Sequence, residues 1–400
     1  MKRKKGSITP TRASLRSNKA KGRVDELYPY FDNLPSHIIA HILLHLPIKS
    51  LLICKCVCKI WKTLISEPHF AKLNFERSQV CLMIRIDDCR LVSRTMIGSN
   101  HVKLAPIFNN RDSQRLNFDF KPDYDKFGVA NSCNGMLCLC CPFEGHPLLI
   151  CNPLTGEFIR LHEATLNTHD MVSVPNMLGQ VGLGFQPKTN EYKVIRIWRR
   201  YLLDDFGFDL RLRYPTCING ALHWIGFEGQ EMSILCFCLE TEKLQSFPSP
   251  PVFQNHNNGF RCNKRIHMGK LRGLLYICDT YPFRDVAMWD MNEYGIGESW
   301  TKVYNIDIVV RPVSPLGRPD SRHYGLCWPV KHFEEGAAIL LYHSCNCLIY
   351  YEPEKHGFKV FRIHGTSSEF VEIIPHVPSL ISLKDVVKGD NIEVLNIHSR

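Results

Sequence analysis

The stretch SHIIAHILLHLP, Ser36 to Pro47, sets His37, His41 and His45 four residues apart. Successive residues of an α-helix turn by about 100°, so positions i, i+4 and i+8 form one shallow-angled row. Histidines at that spacing can hold zinc, provided a third and fourth ligand come from elsewhere. The same row can be the solvated edge of an amphipathic helix. Neither the following segment nor its flanks offers an obvious pair of further ligands.

Cysteine is the other reactive residue present in quantity, at 18 in 400 residues. No CxxC pair occurs, and the close pairs are CxC: Cys54/Cys56/Cys58, Cys138/Cys140, Cys236/Cys238 and Cys345/Cys347. Structural zinc wants two to four residues between paired ligands, and a disulfide scaffold is about twice as rich in cysteine. In a strand, i and i+2 share a face, so most of these thiols read as small buried apolar side chains that stay reduced. Cysteine–histidine nucleophile pairs can be assembled from 18 of each, but numbers that large make coincidental pairs expected. There is no GxxxxGKS/T phosphate loop, GLGFQP from Gly182 is not followed by a helix, and no GxSxG nucleophile elbow occurs. No catalytic residue, metal or cofactor is expected.

The net charge of +10 is unevenly spread. Nine basic residues, Lys2 to Arg23, precede the first acid, Asp25, so the other 40 face 39 acids. A nucleic-acid-binding domain carries its basic excess on the folded part. Here it sits on a tail, residues 1–27, whose composition predicts disorder and whose KRKK can act as a nuclear import signal. No nucleic-acid partner is expected, and the location expected is cytoplasmic, nuclear or both. No apolar run reaches the roughly 18–20 residues of a membrane helix, and no apolar stretch follows the basic start to make a secretory signal. No membrane partner is expected.

The elements that position the histidines are helical. Ile38, Ile39, Ile42, Leu43 and Leu46 cover an arc of about 140° on a helical wheel, with the histidines on the adjoining flank. Pro35 and Ser36 mark the helix start and Pro47 its end. A second run, Ile48 to Ser66, spaces Leu51, Leu52, Cys56, Val57, Trp61, Leu64 and Ile65 by threes and fours, and Pro68 closes it. About 40 residues in short helices cannot enclose that much apolar surface. The excess must pack on the rest of the chain or in another protein's groove.

This segment resembles an F-box, particularly those of plant F-box proteins. Leu34-Pro35, Ile38/Ile39/Ile42/Leu43, Leu46-Pro47-x-Lys49-Ser50-Leu51, Val57-Cys58-Lys59-x-Trp61 and Pro68-x-Phe70 stand in the family's order. The resemblance implies binding to a Skp-type adaptor and, through it, to the cullin and RING subunits of a ubiquitin ligase. Its implied adaptor-binding residues are Leu34, Pro35, Ile38, Ile39, Ile42, Leu43, Leu46, Leu51, Val57 and Trp61. The family usually has acids at the positions of His37 and His41, a basic residue at His45, and often Arg-Phe at Ile53-Cys54. The histidines thus fall where the family places exposed charge, which makes them a solvated flank and not a metal row.

From about Val80 the pattern changes to short alternating or fully apolar runs broken by Gly, Pro, Asn and Thr, which predicts strands and tight turns. Segments starting at Asn134, Asn219, Arg272 and Gly336 share one form: small residue, strand, loop, strand, turn, strand. A partial copy, VGLGFQPKTNEYKVIRIWRR, lies between the first two. Gly135 to Gly336 makes four steps of about 50 residues, the spacing of a kelch-type propeller blade. Asn152, Pro153 and Gly156 in NPLTGE, and Pro187 and Asn190 in QPKTNE, are turn residues. Gly135, Gly220 and Gly273 head their strands, where a missing side chain permits close backbone packing. SCNGMLCL, ICNPLTGEF, GLGFQPKTNEYKVIRI, NGALHWI and GESWTKVYNI are similar to the F-box-associated domain of the same plant proteins. The expected chain is α + β and multidomain: a basic tail at 1–27, an all-α F-box of three short helices at 28–76, and an all-β propeller-like domain at 77–400. The ends of the β-region, about 80–125 and 366–400, fit the repeat poorly and leave blade number and ring closure open.

The resemblance implies a non-catalytic substrate receptor that binds the adaptor through the F-box and a target protein through the β-domain. The alternative is a propeller that binds a glycan or small ligand, with ubiquitination secondary. Trp198, Trp224, Trp289, Trp300 and Trp328 can line a ligand mouth, but their recurrence at strand positions favours packing between sheets. Target recognition is expected on loops. The mixed-charge segment WRRYLLDD singles out Arg199, Arg200, Asp204 and Asp205 as target contacts.

Overall fold

A computed structural model describes residues 34–86, 90–94, 105–106, 128–140, 148–161, 179–198, 215–228, 231–253, 266–280, 285–307, 327–333, 337–343, 347–355, 357–362, 371–387 and 393–396. The expected tail at 1–27 lies outside them. Two compact units divide between Leu73 and Asn74.

Among the described residues of the expected three-helix module stand four helices: α1, Ser36–Leu44; α2, Ile48–Cys54; α3, Lys59–Ser66; and α4, Pro68–Arg77. Pro47 both ends the first segment and serves as the N-cap of α2, its carbonyl accepting from the Ser50 and Leu51 amides. The expected second run is split at Lys55–Cys58, because Cys58 turns extended and its Sγ accepts the Trp61 amide at 3.5 Å as the cap of α3. Pro68 follows the end of α3 at Ser66 and opens α4. A proline fits a first helical position, where the missing N–H would have had no intrahelical partner. Among the described residues no helix is long and apolar enough to cross a membrane.

The β-unit forms six sheets among the described residues, taken here as blades 1 to 6. Blade 2 holds Gly128–Cys133, Met136–Cys140, Leu148–Asn152 and Glu157–Leu161, and blade 3 holds Gly179–Gln186 and Glu191–Trp198. Blade 4 is Thr216–Ile218, Ala221–Glu228, Glu231–Cys238 and Lys243–Phe247. Blade 5 is Ile266–Leu271, Leu274–Thr280, Asp285–Met291 and Trp300–Asp307, and blade 6 is Cys327–His332, Ile339–His343, Cys347–Glu352 and Gly357–Arg362. Blade 1 joins the two ends of the domain. Cys81–Ile86, Arg90–Arg94 and Ala105–Pro106 take their innermost strand from Val371–His376, with Met83 opposite Ile374. The two regions that fit no repeat therefore complete each other.

The first strand of each blade packs against the first strand of the next, around a closed circuit from blade 2 through blade 6 to blade 1 and back. The core is accordingly a set of layers between blades. Met136, Ile150 and Leu183 fill the layer between blades 2 and 3; Trp224 and Leu239 with Ile195 fill that between 3 and 4; Ile234 and Ile277 fill that between 4 and 5. Cys278 and Ile349 lie between blades 5 and 6, Leu340 and Ile373 between 6 and 1, and Met83 and Leu137 between 1 and 2. Backbone-directed side chains key the layers: Asn131 Nδ2 donates to the Leu183 carbonyl at 2.8 Å, and the Leu183 amide returns a bond to Asn131 Oδ1 at 2.9 Å. Trp224 is wholly buried, Trp300 lies in the layer between blades 4 and 5, and Trp289 and Trp328 pack against layer residues. The Trp198 side chain lies outside the description.

The repeated glycines have a different role from the one their strand-heading positions suggest. Asn134-Gly135 and Arg272-Gly273 are two-residue hairpin loops in which both residues have positive φ, 44° and 82° in the first and 53° and 80° in the second. That is the turn whose twist matches the paired strands, and it requires a residue tolerant of positive φ. Close packing adds to this at Gly135, where a Cβ would collide with Ser379, but a Cβ on Gly273 would meet nothing within 4 Å. Gly273→Ala is expected to cost about 1–2 kcal/mol, the left-handed penalty alone. Gly135→Ala adds overpacking of typically 1–3 kcal/mol. Urea midpoints of the two variants check the difference; equal losses would count against the Ser379 contact.

Beyond His376 the chain straps across blade 2. Asn152 Nδ2 donates to the Ser379 and Ile381 carbonyls at 2.9 and 2.8 Å, while its Oδ1 accepts the Leu154 amide at 2.9 Å and so forms the NPLTGE turn. Glu157 accepts from Ser382 Oγ and the Leu383 amide, each at 2.8 Å. The short helix α5, Leu383–Val386, buries Leu383 in the layer between blades 2 and 3, and Leu395–Asn396 then pairs with the outer strand of blade 2.

Three buried histidines, His223, His343 and His376, make this unit acid-sensitive, since burial lowers the pKa of each. His223 Nδ1 donates to the Thr216 carbonyl at 3.3 Å while Nε2 accepts from the Tyr294 hydroxyl at 2.9 Å, an arrangement that a neutral ring satisfies. His376 shares a 3.0 Å hydrogen bond with Ser132 Oγ. Burial lowers the His223 and His376 imidazoles to about 4. An unfolded histidine titrates near 6.5, so below that pH the unfolded chain takes up protons that the folded chain refuses. Stability is expected to fall as pH drops from about 6.5 towards 4, by at most about 1.4 kcal/mol per unit for each histidine. Asp290, raised by burial against the pull of Arg272, works in the opposite sense and offsets part of this. Urea unfolding at stepped pH checks it, with a shallower slope expected for His376→Gln.

Candidate adaptor-binding surface

In the helical unit α1 and α2 pack on α3. Ile39, Leu43, Leu51 and Ile65 are buried and form its interior. Alternate members of the same apolar arc point outward: Ile38 and Ile42 on α1 are 39% and 47% exposed. Ile53 at the end of α2, Val57 in the following turn and Ile60 on α3 are 68%, 55% and 52% exposed. Five large aliphatic side chains left in water on so small a unit make a surface that lacks a partner. From Leu34 to Ser66 there is no acidic residue, while Lys49, Lys55, Lys59 and Lys62 interleave with the apolar positions.

The ten sequence-predicted positions therefore divide. Ile38, Ile42, Val57 and Pro35 are exposed, and Leu34, Leu46 and Trp61 are half-buried. Ile39, Leu43 and Leu51 are enclosed by the unit itself and cannot touch a partner directly. Ile53 and Ile60 were absent from the predicted set, although with Val57 they fall at i, i+4 and i+7, a spacing that marks one helical face. Arg199, Arg200, Asp204 and Asp205 lie outside the described residues.

His37, His41 and His45 are all exposed. His45 Nδ1 donates to the His41 carbonyl at 2.8 Å, and the two rings sit 4.7 Å apart. Among the described residues no three His, Cys, Asp or Glu side chains are grouped to hold a metal ion. The cysteines among the described residues are free thiols, and Cys54, Cys56 and Cys58 lie in a helix end and turn instead of a strand.

Residues 31–73 match the F-box domain family, and residues 75–383 match the F-box associated beta propeller domain family. The second match spans most of the chain. This is a plant F-box protein with an F-box-associated propeller. Its relatives include F-box protein At3g07870 of Arabidopsis thaliana, 24% identical over 86% of this chain and 90% of the relative. F-box/kelch-repeat protein At3g23880 of the same plant is 25% identical over 80% of this chain and 90% of its own, and F-box protein At5g49610 is 25% identical over 84% and 92%. Among solved structures, TolB from Acinetobacter baumannii aligns over 80% of this chain and 71% of its own at 8% identity, with a TM-score of 0.31. The F-box implies binding to a Skp-type adaptor, and F-box proteins with such propellers serve in general as substrate-recognition subunits, non-catalytic as a class.

Proposed function

We propose that this chain is the substrate receptor of a Skp–cullin–F-box ubiquitin ligase, working in the cytoplasm, the nucleus or both. The outward row of Ile38, Ile42, Ile53, Val57 and Ile60 carries the reading, since it is the apolar surface that its own unit leaves uncovered. An adaptor groove with an apolar floor and an acidic rim suits it, because basic residues interleave with the apolar positions and the segment from Leu34 to Ser66 carries no acidic residue. Pro35, Leu34, Leu46 and Trp61 border the contact, while Ile39, Leu43 and Leu51 hold its shape from behind. The propeller holds a target protein and so raises its effective concentration beside the cullin- and RING-bound ubiquitin carrier, a proximity effect that needs no catalytic residue of this chain.

The test uses the full chain and an adaptor-blind Ile42→Asp form, each captured from its native tissue and compared by mass spectrometry. Wild type is expected to bring down adaptor, cullin, RING subunit and targets, and the variant to retain the targets alone at higher yield. A wild-type protein that captures no cullin, or a variant whose targets disappear with the adaptor, would overturn the reading.

A further inference from the structure

Among the described cysteines only Cys56 and Cys58 are exposed; the others are buried or half-buried. Both stand in the turn between α2 and α3, within the uncovered apolar row: Ile53 precedes them, Val57 lies between them and Ile60 follows. Lys55, Lys59 and Lys62 flank the pair, with no acid from Leu34 to Ser66. The two thiols are held differently. Cys56 Sγ–H donates to the Leu52 carbonyl at 3.6 Å, which engages its proton at the end of α2. Cys58 Sγ instead accepts the Trp61 amide at 3.5 Å at the start of α3, a bond that the thiolate keeps.

We propose that Cys58 is a thiolation site, where glutathione disulfide forms a mixed disulfide that closes the adaptor seat and disconnects the receptor from its ligase. This rests on the adaptor-binding reading given above. The thiolate is the nucleophilic form, and exposure gives the reagent access. Cys58 sulfur attacks one sulfur of glutathione disulfide, a new S–S bond forms and the reagent's own S–S bond breaks. The second glutathione leaves as a thiolate and takes up the proton that Cys58 gave up. The cysteine is oxidised and the departing glutathione sulfur is reduced. Glutathione carries a net negative charge, so three lysines without a competing acid draw it to this turn. The adduct then sets that charge and the bulk of a tripeptide beside the exposed Val57 and Ile60. Its charge repels the acidic rim that suits the lysines. A seated adaptor covers Cys58 in return, so each event hinders the other, and by linkage the hindrance is reciprocal. Other thiols are set apart from this chemistry. Burial pushes Cys54 and Cys138 upward and Cys151 to about 12, which withholds their thiolates.

The full chain, reduced and freed of reductant, is incubated with glutathione disulfide, mapped by mass spectrometry and titrated with purified Skp-type adaptor in a calorimeter. The Cys58 peptide is expected to carry a glutathionyl group, adaptor affinity to fall by at least about tenfold, and dithiothreitol to restore both. Adaptor added before the reagent is expected to protect Cys58. In Cys58→Ser, whose hydroxyl can cap α3 as the sulfur does, the ratio of affinities before and after treatment is expected to return to about one. The wild-type protection measurement decides the matter even if that variant folds poorly. Cys58 thiolated with adaptor affinity unchanged, or Cys58 left free while other cysteines are thiolated, would overturn the proposal and leave the receptor reading standing. A reduced wild type that binds no adaptor at all would overturn both.

Discussion

Ile42→Asp is expected to abolish binding of a Skp-type adaptor while leaving the helical unit folded. In the free protein Ile42 is 47% exposed, so a carboxylate there stays hydrated. Substitutions at such surface positions usually change stability by no more than about 0.5 kcal/mol. In a complex the same carboxylate would enter the apolar floor of the contact, and an uncompensated buried charge costs about 3–5 kcal/mol. That corresponds to a loss of more than about 100-fold in affinity. Val57→Asp and Ile60→Asp are expected to act in the same way, since both side chains are likewise exposed. Leu43→Asp, one residue further along α1, places the charge in the unit's own interior and is expected to unfold it. Titration calorimetry with purified adaptor, paired with circular dichroism, separates the two outcomes. Wild-type affinity in Ile42→Asp would show that the adaptor seat lies elsewhere.

That contrast also marks how far the sequence could be read. The helical period of Ile38 to Leu46 is plain, but a helix wedged between its own neighbours and a partner is apolar on both faces. The period cannot divide such an arc, so Ile39 and Leu43 join the predicted contact set although they form the interior. Ile53 is obscured for another reason. It departs from the family's usual residue, and its partners Val57 and Ile60 lie beyond a break that Cys58 makes between α2 and α3. In the β-unit the Asn134-Gly135 hairpin is a strong local signal of positive φ, and the strands around it follow from alternation. The number of blades does not. Residues 81–86 pair with 371–376, a contact across almost the whole domain that leaves no trace in any local period. The apparent step of about 50 residues is an average over unequal intervals, since blade 3 shows two strands among the described residues where blades 4, 5 and 6 show four.

The closing strand carries the second large expected effect. A chain ending at Phe370 is expected to lose the cooperative unfolding transition of the β-unit, whereas one ending at Val387 is expected to keep it. The longer deletion removes Val371–His376, which leaves the inner edge of blade 1 unpaired at the ring's axis and opens the circuit between blades 6 and 2. It also strips three buried side chains, Ile373 from the closing strand and Leu380 and Leu383 from the strap. At about 1.5–3 kcal/mol for each buried aliphatic side chain, those three alone are worth roughly 5–9 kcal/mol, against a total domain stability of about 5–15 kcal/mol. Asn152 and Glu157 lose their strap partners as well, and the Asn152 amide is left buried without its two carbonyls. Among the described residues the shorter deletion removes the outer pairing of Leu395–Asn396, the Asn396 bond to the Thr155 carbonyl, the exposed Leu395 and the partly buried Val394 at the edge of the layer, and leaves every one of those contacts in place. Scanning calorimetry on the two truncated chains reads the difference directly. If the chain ending at Phe370 melted as cooperatively as the one ending at Val387, the ring would not depend on strand exchange between its ends. Blade 1 would then have to be held by its neighbours alone, against the unpaired edge that the missing strand leaves.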